Sequence, residues 1–362
     1  MAYSKKLLIV SCSTGSGHGR AAEALRLSCQ KLYPDVQALH IDFADYSSWI
    51  ARVSIINSYN FFISRAPGLF GYIYKLSDNF AIQPFFKVAK FFLRQGVRKF
   101  LKKLKEYQPD HIISTHFLPQ LVLPIEYPTP IDVVITDYHA HRIWLSPNTR
   151  KFFVASDQVK TELEKLGIKS IVSGLPVHPK FFRERDTQKL KEEFGINNGL
   201  PTILMMPAYR GELKAKEIVN TIFSYDKNVN VVAISGHNNE RVFEELANIK
   251  KSGQKNLIVI KRAENIDDWM RVADIIVSKA GGLTVTEAMF LQKPIIIINP
   301  IPGQEVFNME YLIKSGYGFG AESCDDLAKK IEKILANPGI IKKPAPSRSN
   351  EIILTEVLKK EE

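Results

Sequence analysis

Short apolar runs recur along the chain, each followed by a longer stretch in which apolar positions return every three or four residues. The first run, LLIV at 7–10, follows Lys5 and Lys6 and leads within a few residues into glycines. It is too short for the apolar core of a signal peptide, so it predicts a buried first strand. The next stretch, 19–32, places Ala21, Leu25, Cys29 and Leu32 along one face and predicts a helix. Further strands are predicted at 36–43, 111–114, 132–136, 151–154 and 170–173. The run GLPVHP at 174–179, with two prolines and a glycine, reads as a hinge. A second series follows at 201–206, 229–235, 257–261, 274–278 and 294–299, with helical patterns between. After the NPG at 337–339 the alternation stops, leaving a Pro/Ser stretch at 342–349 and a short helix at 351–360.

Strand and helix in alternation predict an α/β fold made of two Rossmann-like, doubly wound parallel sheets. The expected domains are 1–176, 177–340 and a tail at 341–362, with a ligand cleft between domains at the carboxyl ends of the strands. Three widely spaced cysteines (Cys12, Cys29, Cys324) offer neither a disulfide framework nor a zinc site, and fit a reducing cytosol. No stretch approaches the roughly 18 apolar residues of a spanning helix.

The net charge of +11 is unevenly spread. Residues 48–107 hold eleven Lys and Arg against only Asp78 and Glu106, a local net of +9, together with most of the clustered aromatics, Trp49, Phe61, Phe62, Phe85, Phe86, Phe91 and Phe92 among them. Such a segment suits an anionic lipid interface, with its apolar face down and lysines on phosphates. The same composition suits phosphate neutralisation on nucleic acid, or a pair of core-packed helices with a solvated basic face.

Three loops carry candidate chemistry. The run STGSGHGR at 13–20 follows the first strand and opens a helix, where glycines admit a ligand to the backbone. It has no Lys-Ser/Thr after its last glycine, so it is not a Walker A loop, and its alternating glycines are not a clean G-x-G-x-x-G. His18 within it has the pKa range of a general base, or else caps the following helix. The run SKAGGLTVTEA at 278–288 again joins a strand to a helix. Gly281, Gly282 and Thr284 there suit a phosphate, and Glu287 one turn on suits the two hydroxyls of a ribose. Finally PGQE at 302–305, with Asn308 a turn later, places an amide and a carboxylate side by side for sugar hydroxyls. A helix-starting turn with Glu305 favouring the dipole is the plainer reading.

Together with STHFLP at 114–119, TDYHAHRIW at 136–144 and GLPVHP at 174–179, these motifs in this order resemble the family of plant monogalactosyldiacylglycerol synthases and bacterial processive diacylglycerol glucosyltransferases. The peptidoglycan enzyme that adds N-acetylglucosamine to lipid I is a more distant relative. The resemblance covers almost the whole chain and implies a GT-B fold, with acceptor on the N-terminal domain, nucleotide-sugar on the C-terminal one, and a last helix returning to the N-terminal domain. It implies that His18 is the general base and that Gly17, Asp137, His141 and Trp144 lie on the acceptor side. It implies that Gly281, Gly282 and Thr284 hold the diphosphate, Glu287 the uridine ribose, and Gln304 and Glu305 the donor sugar. Arg210 and Asn238 are expected near the nucleotide, although MPAYRG at 206–211 departs from the glycine-rich loop of the relatives, and Ala280 replaces a common proline.

The implied activity is an inverting, metal-independent transfer of glucose or galactose from a UDP-sugar to the primary hydroxyl of diacylglycerol, peripherally at the cytoplasmic face of the cell membrane. The implied partners are the UDP-sugar, diacylglycerol and anionic lipids, without nucleic acid and without a cofactor. A UDP-N-acetylhexosamine transferase with another lipid-linked acceptor is the near alternative. A NAD-dependent oxidoreductase built on the first glycine loop and Asp42, and a non-enzymatic adaptor built on the basic segment, are the readings from other classes.

Overall fold

The computed structural model describes residues 5–13, 16–47, 65–78, 98–123, 127–207, 213–236, 239–344 and 347–359. The chain divides into two units: Met1–Pro179 with Pro302–Gln304 and Ser347–Glu362, and Lys180–Ile301 with Glu305–Pro346.

Unit 1 is built on β1 (Lys6–Ser11), β2 (Gln37–Asp42), β3 (His111–Ser114), β4 (Ile131–Val134), β5 (Thr149–Val154) and β6 (Ser170–Val172). All pair in parallel, in the order β2-β1-β3-β4-β5-β6. The described helices of this unit are α1 (Ser16–Leu32), α2 (Pro67–Ser77), α3 (Arg98–Tyr107), α4 (Phe117–Val122) and α5 (Asp157–Glu164), with a last helix, Ser349–Leu358, from the chain's end. The alternation within LLIV explains the layering, because successive side chains leave opposite faces of the sheet. Leu7 and Ile9 pack with Leu25 and Cys29 of α1 and with Ile353, Leu354 and Val357 of the last helix. Leu8 and Val10 pack on the other face with Phe100 and Leu104 of α3 and with Val159 and Leu163 of α5. The last helix is also held by polar contacts: buried Asn350 donates to Val177 O (2.7 Å) and accepts from Val177 N (3.1 Å), and Arg150 donates to Val357 O (3.3 Å).

Unit 2 repeats the plan with β7 (Thr202–Met205), β8 (Asn230–Ile234), β9 (Leu257–Ile260), β10 (Ile275–Ser278), β11 (Ile295–Ile297) and β12 (Gly318–Gly320), ordered β12-β11-β10-β7-β8-β9 and again all parallel. Its described helices are α6 (Thr187–Glu193), α7 (Ala215–Tyr225), α8 (Glu240–Lys251), α9 (Ile266–Val272), α10 (Gly282–Phe290), α11 (Gln304–Lys314) and α12 (Cys324–Ala336); the chain-terminal helix of unit 1 is then α13. Strand β12 is not foreseen from the sequence, since a GFG triplet reads as a turn. The structure gives the reason for its glycine: a Cβ on Gly318 would sit 2.5 Å from Ile295 O on the neighbouring strand.

Each sheet has one place where the chain reverses its direction of travel, and there the connections leave opposite faces and open a crevice. In unit 1 it lies between β1 and β3, and in unit 2 between β7 and β10.

Candidate active site

At the first switch point, α1 starts five residues after β1 ends and carries His18 in its opening turn. β3 ends beside it, and Thr115 follows directly. The His18 Nδ1 lies 2.8 Å from Thr115 O, and since a carbonyl can only accept, Nδ1 holds the proton. The lone pair of the neutral ring is therefore on Nε2. The Thr136 hydroxyl, just past β4, lies 3.0 Å from the same Nδ1, and Thr115 Oγ1 donates to His18 O (2.9 Å). These contacts fix the imidazole's tautomer and plane from three loops at the carboxyl end of one sheet.

The walls around it are aromatic. The His116 ring meets His18 edge-on at 4.5 Å between centroids, and Trp144 lies 6.1 Å away. His116 is buried and its Nδ1 accepts from Leu118 N, capping α4 (3.2 Å). Burial lowers the pKa of His18, while the Asp137 charge and the Thr115 carbonyl pull it partly back. Burial and the neighbouring His18 drive His116 well below the ordinary range, so its ring stays neutral. At neutral pH His18 is thus an unprotonated base with a carboxylate near enough to stabilise the imidazolium it becomes.

The other residues expected on the acceptor side take distinct places. Gly17 lies in the first turn of α1. Asp137 is buried after β4, and Trp144 is buried in the same core as α3 and α5. His141 has both ring nitrogens engaged: Nδ1 accepts from Ile143 N (3.0 Å), and Nε2 donates to Tyr74 O (2.9 Å). It ties the TDYHAHRIW loop to α2, beside the Asp78 carboxylate that accepts from Arg142 N at 2.8 Å. Asp42, the ribose acid of the dinucleotide reading, has its carboxylate on Ser13 N, the Ser13 hydroxyl and Ala44 N.

At the second switch point, β10 ends at Ser278 and α10 begins at Gly282, with Gly281 as an extended cap that offers no side chain to the first turn. The free N–H groups of that turn are a ready anion site. Thr284 is half-buried on the opening turn, and Glu287 is buried on the same helix. Gln304 opens α11, while Glu305 points inward and is only 2% exposed. Its Oε1 accepts from Lys279 Nζ and its Oε2 from Ile301 N (2.9 Å). Asn308, fully buried, donates to Ala280 O (3.0 Å) and so joins α11 to the glycine loop. Arg210 and Asn238 lie outside the described residues. Asn299 exchanges two hydrogen bonds with Leu213 (2.8 and 3.1 Å).

Sequence reasoning did not single out Thr115, Thr136, His116, Lys279 or Asn299. The first four lie inside motifs already quoted, but their part depends on non-adjacent loops meeting. Asn299 carried a local signal, an asparagine ending a strand, and its φ is +47°.

Of the basic segment, 48–64 and 79–97 lie outside the described residues. The two described helices differ. α3 buries Phe100 and Leu104 and turns Lys99, Lys102 and Lys105 to solvent. α2 buries nothing and exposes Leu69, Tyr72, Ile73 and Leu76, which at i, i+3, i+4 and i+7 form one face. Among the described residues no helix is long and apolar enough to cross a membrane.

Comparison with known proteins agrees with this layout. Residues 18–177 match the monogalactosyldiacylglycerol (MGDG) synthase family and residues 186–351 the glycosyl transferases group 1. Along its full length the chain is 28% identical to the processive diacylglycerol beta-glucosyltransferase of Bacillus licheniformis, covering 97% of that protein, and 27% identical to that of Bacillus subtilis with the same coverage. Among solved structures it is similar to UDP-GlcNAc 2-epimerase from Neisseria meningitidis bound to UDP-GlcNAc (TM-score 0.63, 16% identity, 98% of this chain and 100% of that one). It is also similar to MurG from Acinetobacter baumannii (TM-score 0.57, 15% identity, 98% and 99%). At such identities these two bear on the fold alone.

Two parallel six-stranded sheets of this order, and the families their sequences match, define a glycosyltransferase of the GT-B fold. Within that class the chain belongs to the family of the monogalactosyldiacylglycerol synthases and the processive diacylglycerol glucosyltransferases.

Proposed function

We propose that this chain transfers glucose from UDP-glucose to the primary hydroxyl of diacylglycerol, with inversion at the anomeric carbon, as a peripheral enzyme at the cytoplasmic face of the membrane. The observation that carries the reading is the His18 imidazole, held by Thr115 O with Nε2 unprotonated at the switch point of the first sheet. Its Nε2 takes the acceptor hydroxyl's proton as that oxygen bonds to C1 of the sugar. The bond from C1 to the diphosphate oxygen breaks, and UDP leaves with the electron pair. The opening turn of α10, with Gly281, Gly282 and Thr284, meets the diphosphate, so no resident metal is needed in this scheme. Glu287 takes the ribose, and Gln304 the sugar.

The relatives' names support the acceptor and the sugar, and their beta linkage implies inversion of an alpha-linked donor. The exposed apolar face of α2, within a segment of net charge +9, supports docking on anionic lipid. The test offers UDP-glucose, UDP-galactose and UDP-N-acetylglucosamine with diacylglycerol in anionic vesicles and identifies the lipid product and its anomeric configuration. A beta-glucosyl lipid is expected, with less product as salt rises. Transfer only from UDP-galactose or UDP-N-acetylglucosamine would replace the donor, a retained configuration would overturn the role of His18, and no glycolipid at all would overturn the reading.

A further inference from the structure

Lys279 has no part in the reaction scheme proposed for the site, yet it links the glycine loop after β10 to the opening turn of α11. It is the first residue after β10 and lies two residues before Gly281. Its ammonium binds the carboxylate of Glu305, from the opening turn of α11, which follows the neighbouring strand β11. Both Glu305 oxygens are engaged, one by Lys279 and the other by Ile301 N, in a side chain only 3% exposed. So little of that side chain reaches the surface that it offers a sugar hydroxyl almost no approach. Lys279 is the opposite case. Its side chain is 40% exposed, and an ammonium has three N–H donors, of which Glu305 takes one.

We propose that Lys279 is a donor-binding residue of this site, its ammonium contacting the diphosphate of the nucleotide while Glu305 acts as the brace that aims it. The inference deepens the function proposed above and rests on it. The chemistry is that of a fixed cation beside a helix N-terminus: α10 supplies backbone N–H groups without a full charge, and Lys279 supplies the charge. Glu305 orients Lys279, and its own Ile301 contact fixes the turn that leads into Gln304. Asn308, bonded to Ala280 O, closes the same bracket from the next turn of α11. The spacing of the two loops is therefore set by groups that do not touch the sugar. Glu305 leaves the set of sugar contacts and becomes a positioning residue.

The experiment measures the affinity of the full chain for uridine, UDP and UDP-glucose by calorimetry, for the native chain and for Lys279→Met, Lys279→Arg and Glu305→Gln, with a thermal melt of each. In Lys279→Met, UDP and UDP-glucose affinity should fall about tenfold or more, as expected for a lost charge-assisted contact. Uridine, which has no phosphate, should bind as it does to the native chain. Lys279→Arg should restore most of the UDP affinity. Glu305→Gln should leave uridine binding intact and lower kcat more than it raises KM, because the cation is present but no longer aimed. If Lys279→Met lowers uridine and UDP affinity equally, the residue is structural and the inference fails. Unchanged UDP affinity in that variant overturns it as well. Should Lys279→Met not fold, the decision passes to Lys279→Arg and Glu305→Gln: UDP affinity lost in Lys279→Arg at a native melting temperature, or kcat untouched in Glu305→Gln, rejects the proposal. If the native chain binds no UDP at all, the failure lies with the proposed function and not with Lys279.

Discussion

Replacing His18 with alanine removes the proposed base, and the structure allows the consequences to be separated. A general base of this kind contributes about 10²–10⁴-fold, or roughly 3–5 kcal/mol of barrier, and turnover should fall by that factor. The same change strips the Thr115 carbonyl of its donor in a buried loop, and an orphaned acceptor costs about 1–3 kcal/mol of stability. A lower melting temperature is therefore expected alongside the lost activity. His18→Gln divides the two effects, because its amide N–H can still serve the carbonyl while offering no base; activity should fall as far, stability less. The assay is initial-rate sugar transfer from pH 5 to 8, with UDP affinity by calorimetry as the control on unit 2. In the native chain His18 has a lowered pKa, so the neutral ring persists as pH falls through 6.5 and the acid limb of kcat/KM lies below that value. In both variants that limb should vanish and UDP affinity should hold. Turnover near the native rate in His18→Gln, or an acid limb that survives the substitution, would refute the assignment.

Asp137→Asn removes a charge that raises the His18 pKa, so the acid limb should move to lower pH and the plateau rate should drop. A limb displaced upward in the pH–rate profile would contradict the electrostatics. Glu287→Ala should weaken uridine and UDP alike, by roughly tenfold to a hundredfold for a charge-assisted ribose contact of about 1.5–3 kcal/mol, when measured by calorimetry. Arg150→Met leaves the fully buried Asp132 without the guanidinium that holds both its oxygens (3.0 and 2.5 Å), and should cost about 3–5 kcal/mol in urea unfolding. Loss of less than 1 kcal/mol there would show that Asp132 finds other solvation.

The paired sheets were legible in the sequence because parallel strands buried on both faces are continuous apolar runs, and LLIV, ILMM and IIIIN stand out against amphipathic helices. β12 was not, because its defining feature is the absence of a side chain at Gly318, which in a sequence looks the same as a turn. The glycine loops were legible as loops, and His18 as their unusual member. What could not be read was which groups hold that histidine. Thr115 acts through its backbone carbonyl, which any residue would carry, and Thr136 reaches Nδ1 from 118 positions away. Glu305 shows the reverse difficulty. Beside Gln304 it is expected at the donor sugar, and its inward packing is not legible there, because a helix start turns successive side chains about 100° apart. That rotation leaves Gln304 half-exposed and sends Glu305 inward to Lys279 and Ile301 N.

The two sheets share a topology and differ in what the switch point is given to do. In unit 1 the helix after β1 brings an imidazole into an enclosed aromatic setting, where burial keeps the resting base neutral and Asp137 eases the charge it acquires. Burial beside a second imidazole gives a ring that stays neutral, as in His116. At His139 burial also lowers the pKa, but the Glu162 and Asp78 carboxylates outweigh it and raise it above the ordinary value. His18 lies between these two neighbours, and the difference is set by one bond to a backbone carbonyl and one acid on the next loop. In unit 2 the corresponding turn carries no titrating base; it carries glycines, a helix N-terminus and a cation braced by a buried carboxylate. Proton removal needs a group that changes its charge, and holding a leaving diphosphate needs charge that stays fixed. In the proposed reaction each parallel sheet would supply one of them, from the same position in its winding.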